Sequence, residues 1–159
     1  MKRRMATVLV VEDDLVIAKH IKFYIWKTFD RAFQVLVAND YQTAKELIEK
    51  GNIDIYMIDF ILPDGHGEDL IKLIREQSFK HPIIAQTITD DLKYQIKIYR
   101  EYGRIMYLTK DELYQSIADA FSWAEKELED LFKTRILIPG RKRGSFNVND
   151  VCYIERIPI

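Results

Sequence analysis

The chain has 159 residues, 48% hydrophobic and 31% charged, which suits one hydrophobic core and a short additional piece. A formal net charge of −1 gives no general attraction for nucleic acid, and a single cysteine, Cys152, cannot close an internal disulfide. No apolar run approaches the roughly 18 residues of a membrane span, and "MKRRMATVLVVEDD" is too short in its apolar part for a signal peptide, so the sequence reads as soluble and cytoplasmic. The charge is uneven: residues 133–159 carry +4 and residues 1–132 therefore −5.

Short apolar runs alternate with segments of helical period. "ATVLVVE" (6–12) is β-branched and nearly all apolar, as a strand covered on both faces must be. From Asp14 a helix follows, with Ile17, Ile21, Tyr24, Ile25 and Thr28 or Phe29 on one face. Phe23, Trp26 and Phe29 are expected to pack in the core or at the helix end. "FQVLVA" (33–38) is the second strand, and "YQTAKELIEKG" a helix stopped by Gly51. "IDIYMID" (53–59) is the third strand, followed by "PDGHG" as a turn and "EDLIKLIREQS" as a helix. "PIIAQT" (82–87) is the fourth, followed by a helix from about Asp90 to Tyr102 that Gly103 closes. "RIMYL" is the fifth, and a last helix starts near Asp111.

Five strand–helix pairs imply a parallel sheet wrapped by helices through right-handed crossovers. The last helix keeps its apolar period through Leu113, Ile117, Phe121, Ala124, Leu128 and Leu131, longer than one domain face needs, so its end is expected to project as a connector. Pro139 and Gly140 then break the chain and "SFNVNDVCYIERI" is strand-forming, which puts a domain boundary at 132/133. The helix after the fourth strand has two apolar stripes, Leu92–Ile96–Tyr99 and Tyr94–Ile98–Tyr102. Only one can face the sheet. The expectation is that Tyr94, Ile98 and Tyr102 form the free stripe, available as a dimer face.

In an open parallel sheet, ligands gather at the carboxyl ends of the strands. The first strand ends in "EDD" (12–14) and the third in Asp59, so adjacent central strands would put Glu12, Asp13 and Asp59 in one pocket. Three carboxylates so close repel unless a cation is present, and a hard divalent ion such as Mg²⁺ resolves this. Asp14 is read as a helix cap. The fourth strand ends at Thr87, a hydroxyl donor, and the fifth leads to Lys110. A carboxylate, a metal site, a hydroxyl and a lysine at four strand ends suit formation of an aspartyl phosphate on Asp59.

"VLVVEDD", "DIYMIDFILPDGHG", "PIIAQT" and "YLTK" resemble the response-regulator receiver domain of bacterial two-component systems over roughly residues 5–130. The resemblance implies a flavodoxin-like (βα)5 α/β fold with sheet order 2-1-3-4-5. It makes Glu12 and Asp13 the acidic Mg²⁺ pair, Asp59 the phospho-acceptor, and Ile61 the donor of a backbone carbonyl to the metal. Thr87 and Lys110 match the switch hydroxyl and the phosphate-binding lysine, and Tyr107 the switch aromatic. The implied partner is a sensor histidine kinase, with homodimerisation on phosphorylation through the face of the last two helices and fifth strand.

The sequence departs from the family pattern at three places. Ile88 stands where a small residue usually follows the switch hydroxyl, Asp111 where proline commonly follows the lysine, and Ile61 offers no polar side chain to orient a hydrolytic water. The last departure implies a long-lived phosphate.

The tail "RILIPGRKRGSFNVNDVCYIER" resembles the opening strands of LytTR-type DNA-binding domains, over about 25 residues. DNA contact is thus expected only through a C-terminal domain mostly absent from this chain, with transcription as the output. Three alternatives are weaker. A Mg²⁺-dependent aspartyl-phosphate phosphatase would need a second acid at position 61. A flavodoxin-like cofactor binder would need a phosphate loop where "EDD" repels phosphate. A receiver-like interaction module that switches without phosphate is kept open by Ile88.

Overall fold

The computed structural model describes residues 5–29, 33–77, 80–87 and 92–135. In chain order it contains β1 (Ala6–Val11), α1 (Leu15–Thr28), β2 (Phe33–Ala38), α2 (Tyr41–Lys50), β3 (Ile55–Asp59), β4 (Ile61–Leu62), β5 (Gly65–His66) and α3 (Gly67–Gln77). Then come β6 (Ile83–Thr87), α4 (Leu92–Tyr102), β7 (Ile105–Thr109), a 3-10 turn over Lys110–Glu112, and α5 (Leu113–Arg135). Five strands form one parallel sheet in the order β2-β1-β3-β6-β7, which is the expected 2-1-3-4-5 arrangement of the long strands.

Strand alternation divides the core in two. Val8, Val10, Met57, Ile84 and Leu108 point to one face, where α1 supplies Ile21 and Ile25 and α5 supplies Leu113, Ile117, Phe121, Ala124 and Leu128. Leu9, Val11, Ile58, Ile83 and Ala85 point to the other, against Ala44 and Ile48 of α2, Leu70, Ile71 and Ile74 of α3, and Ile98 of α4. A fully buried aliphatic side chain contributes about 1.5–3 kcal/mol, so these two layers carry the fold. Phe29 fills the end of the first layer, its ring 5.4 Å from Phe33 and 6.1 Å from Phe121.

Three expectations need correction. Phe23 is 65% exposed and Trp26 lies on the surface under the Lys22 ammonium, because the buried line of α1 runs through Ala18, Ile21 and Ile25 and leaves both aromatic rings outside it. "PDGHG" is more than a turn, since Ile61–Leu62 pairs antiparallel with Gly65–His66 as a small hairpin. The last helix begins near Asp111 as expected, with a 3-10 turn over Lys110–Glu112 leading into α5 at Leu113, and continues to Arg135. Residues 136–159, which hold the strand-forming tail, lie outside the described residues, as does Ile88.

The third correction concerns α4. Ile98 is completely buried, and Tyr94 and Tyr102 pack against the second core layer. The Tyr94 ring meets Phe60 edge-on at 5.9 Å, and its hydroxyl donates to Glu68 at the start of α3. The free stripe is Leu92, Ile96 and Tyr99, exposed by 66%, 42% and 58%. Two apolar stripes on opposite sides look alike by period; the partners waiting on α3 and β3 chose between them.

At the amino edge of the sheet two buried polar residues tie the layers together. Asp54 accepts from the Thr7 backbone N–H at 2.8 Å. Arg75, at the end of α3, donates to the carbonyls of Tyr102, His81, Gly103 and Arg104, fastening the exit of α4 to the strands that flank it. Among the described residues no helix is long and apolar enough to cross a membrane.

Candidate functional site

The site is built at the carboxyl edge from the ends of β1, β3 and β7. Asp59 is the last residue of β3 and only 1% exposed. Two contacts hold its carboxylate: the Ile61 backbone N–H donates to Oδ1 at 3.0 Å, and Lys110 Nζ reaches Oδ2 at 2.6 Å. Glu12 follows β1 and is fully buried, its N–H extending the ladder to the Ala38 carbonyl at 3.0 Å. Its Oε1 accepts from the Asp14 N–H at 3.2 Å and lies 3.7 Å from Lys110 Nζ. Asp14 is the helix cap the sequence predicted, accepting from the Val16 and Ile17 N–H groups.

Glu12, Asp13 and Asp59 each offer a carboxylate oxygen, and these oxygens all lie within 4.8 Å of one another. Glu12 Oε2 is buried without a hydrogen-bond partner among the described residues. An orphaned buried carboxylate oxygen beside two more acids fits a hard divalent cation with oxygen ligands. Burial, with the charge of Asp59 adding to it, pushes the Glu12 carboxyl up to about 7, against the pull of the Asp14 N–H and of Lys110. For Lys110 burial works against the charged form, but the hydrogen bond to Asp59 and the surrounding acids outweigh it and raise its pKa. The cluster is short of positive charge.

The loop that carries Asp59 past this pocket is fixed on both sides. Gly67, whose N–H donates to the Phe60 carbonyl at 2.8 Å, passes so close to the Asp59 and Phe60 backbone that a Cβ there would collide with it. Asp64, in the hairpin turn, accepts from the Tyr41 and Gln42 N–H groups at 2.7 and 3.1 Å and so caps α2 from outside, beside the cap of Asp40. Phe60 carries three rings: His66 stacked at 5.9 Å, Tyr94 edge-on, and Tyr107 at 6.2 Å. Tyr107 is half-buried, its hydroxyl 3.4 Å from the Gln95 carbonyl, and burial together with the Glu68 charge raises its pKa.

The structure thus brings together Glu12, Asp13, Asp59 and Lys110 and sets Ile61 against Asp59 through its N–H, with the Ile61 side chain 55% exposed. Thr87 ends β6, paired with Thr109, so its backbone is at the same edge; its side chain lies outside the described set. The sequence reading missed Gln86, which is fully buried with both polar side-chain atoms unpartnered. Its only signal was a carboxamide inside an otherwise apolar strand. It also missed Asp64 as a cap, because the helix it serves is distant in sequence.

Residues 8–122 match the family model described as the response regulator receiver domain. The chain belongs to the response regulator receiver family. Over 119 residues, 74% of the chain and 49% of the relative, this receiver is 28% identical to the transcriptional regulatory protein MalR of Bacillus subtilis. The chain spans about half the length of the curated relatives it matches. Among solved structures it is similar to the receiver domain of Francisella response regulator 1452 (28% identity, TM-score 0.64, covering 76% of this chain and 98% of that one). The same fold occurs in the receiver domain of the sensor histidine kinase PA1611 from Pseudomonas aeruginosa PAO1, a structure with a magnesium ion coordinated in its active-site cleft (24% identity, TM-score 0.61, 76% and 98% covered).

Proposed function

We propose that this receiver is the phospho-accepting switch of a two-component system in the cytoplasm. Asp59 takes a phosphoryl group from the phosphohistidine of a sensor histidine kinase. A carboxylate oxygen of Asp59 attacks phosphorus while the P–N bond of the donor breaks and its electron pair stays on the imidazole. Lys110, already 2.6 Å from Asp59, turns its ammonium to the phosphoryl oxygens as charge develops there. Glu12, Asp13, Asp59 and the Ile61 backbone carbonyl would hold Mg²⁺, which when bound neutralises charge on the phosphoryl oxygens. Thr87 and Tyr107 are assigned the switch that reports the modification to α4 and α5.

The observation that carries this reading is the junction of the buried Asp59 with Lys110 and two further acids, delivered from three separate strand ends. The magnesium in the PA1611 receiver, on the same fold, supports the choice of ion. The output face is the exposed Leu92–Ile96–Tyr99 stripe of α4, in place of the Tyr94 stripe, and a second copy of the chain is its assigned partner. Regulation of transcription, through a LytTR-like DNA-binding domain that begins in residues 133–159, rests on the tail sequence and on relatives such as MalR.

The test is exposure to acetyl phosphate, or to beryllofluoride, with and without Mg²⁺. Wild type should gain one phosphoryl mass, or bind beryllofluoride, only with Mg²⁺, and Asp59→Asn should do neither while keeping its fold. Folded wild type that takes up neither would leave a receiver-shaped interaction module in place of a phospho-switch.

A further inference from the structure

Three buried side-chain polar atoms lack a hydrogen-bond partner among the described residues: Glu12 Oε2, Gln86 Nε2 and Gln86 Oε1. They flank Asp59. In the parallel register Val11 is opposite Ile58 and Asp59 opposite Gln86, so Glu12, Asp59 and Gln86 form one row across β1, β3 and β6. Met57 and Ile84, two residues earlier on their strands, both pack in the layer under α1 and α5, so Asp59 and Gln86 project to that same side. The Phe60 N–H donates to the Gln86 carbonyl at 3.1 Å, which locks the two strands together at this point.

The acidic cluster accounts for the Glu12 oxygen. Nothing in it accounts for the Gln86 carboxamide, which is fully buried in a position where an apolar side chain would cost less. We infer that Gln86 is a positioning residue for the modified state: its Nε2 donates to the Asp59 acyl phosphate, a bond it does not make in the resting protein. In the resting geometry each Asp59 oxygen already has a donor, Oδ1 the Ile61 N–H and Oδ2 the Lys110 ammonium. Phosphoryl transfer leaves a carbonyl oxygen on Asp59 and adds three phosphoryl oxygens, while Lys110 turns outward to the new charge. With Lys110, Thr87 and Mg²⁺ assigned to the phosphoryl oxygens, the Asp59 carbonyl oxygen is left facing the neighbouring strand, where Gln86 Nε2 is a buried donor without a partner among the described residues. The cost of the orphaned amide in the resting state is relieved on modification, which biases the equilibrium toward the modified form.

This inference rests on Asp59 being the phospho-acceptor, and the test separates the two. Beryllofluoride with Mg²⁺ is titrated into wild type, Asp59→Asn and Gln86→Met, and urea midpoints of the same proteins are measured without it. Binding to wild type and none to Asp59→Asn establishes the acceptor; no binding to wild type overturns the acceptor reading and this inference with it. Given binding, Gln86→Met should be as stable as wild type or more so, yet bind beryllofluoride about tenfold more weakly, the worth of one hydrogen bond to a charged group. Unchanged affinity overturns the inference, and so does a joint loss of stability and affinity, which would make Gln86 a packing residue. The wild-type protein gives an independent readout: the Gln86 side-chain NH₂ resonances should shift and exchange more slowly with solvent on adding beryllofluoride and Mg²⁺. Unmoved resonances overturn it as well.

Discussion

At the amino edge of the sheet, Arg75 is buried with its guanidinium spread over four backbone carbonyls, and Asp54 accepts from the Thr7 N–H. At the carboxyl edge, Glu12 and Gln86 are as deeply buried, yet three of their polar atoms have no partner among the described residues. Both edges bury polar groups against the same two core layers, so hydrophobicity does not distinguish them. What differs is satisfaction. A buried group whose donors are all used stabilises the resting fold, whereas one left short is waiting for a cation or a new acceptor. That contrast separates structure from function more sharply than burial or charge alone.

The largest expected effect that would break the contrast is at Arg75. Arg75→Met removes the guanidinium donor from the half-buried Tyr102, His81 and Gly103 carbonyls, while the Arg104 carbonyl keeps the Ile83 N–H, and should cost about 3 kcal/mol in urea unfolding, with beryllofluoride affinity unchanged wherever the variant is folded. A loss of affinity in the folded variant would mean the two edges are coupled.

Glu12 gives the next effect, with the opposite sign. Its folded pKa of about 7 lies above the ordinary 4.5, so the folded protein holds that proton more tightly than the unfolded chain. Stability of the metal-free protein should therefore fall as pH rises from about 4.5 to about 7 and level off above. The span should be on the order of 2 kcal/mol, less than full linkage because neighbouring charges rearrange with it. Urea midpoints at pH 5 and 8 in chelator measure it, and Glu12→Gln should flatten the profile. A profile that stays steep in Glu12→Gln would assign the strain elsewhere.

The smallest effect sharpens the comparison at its margin. Asp64 lies close to the acidic pocket in sequence, but its carboxylate is spent on two N–H groups of α2. Asp64→Ala should cost about 1 kcal/mol, the usual price of a helix cap, and leave the Mg²⁺ requirement for beryllofluoride binding as it was.

The five long strands were legible because parallel strands buried on both faces must be nearly continuous apolar runs, as "VLVV" and "IYMI" are. Gly51 and Gly103 marked the helix ends correctly, each with positive φ. The site was legible through its extremes, since acids at the end of a buried strand are costly enough to be meaningful. Gln86 was not, because a single carboxamide within "PIIAQT" has no periodic or motif signature; its orphaned state exists only once β3 and β6 are in register. Tyr94 and Ile98 were placed on the wrong side of α4 for a related reason. Period shows that two stripes exist, while the Phe60 ring and the Glu68 carboxylate decide which one turns inward.

By itself, then, the sequence determined the alternation of strands and helices, the sheet order through its resemblance, and the carboxylates and lysine that meet at one edge. These follow from local period and from the cost of charge at strand ends, both of which act along the chain. Only the tertiary structure decided which face of α4 is free, which buried polar groups are satisfied, and that Asp59 stands between Glu12 and Gln86. Those are relations between elements distant in sequence, fixed by strand register and by which side chains find partners across the layers.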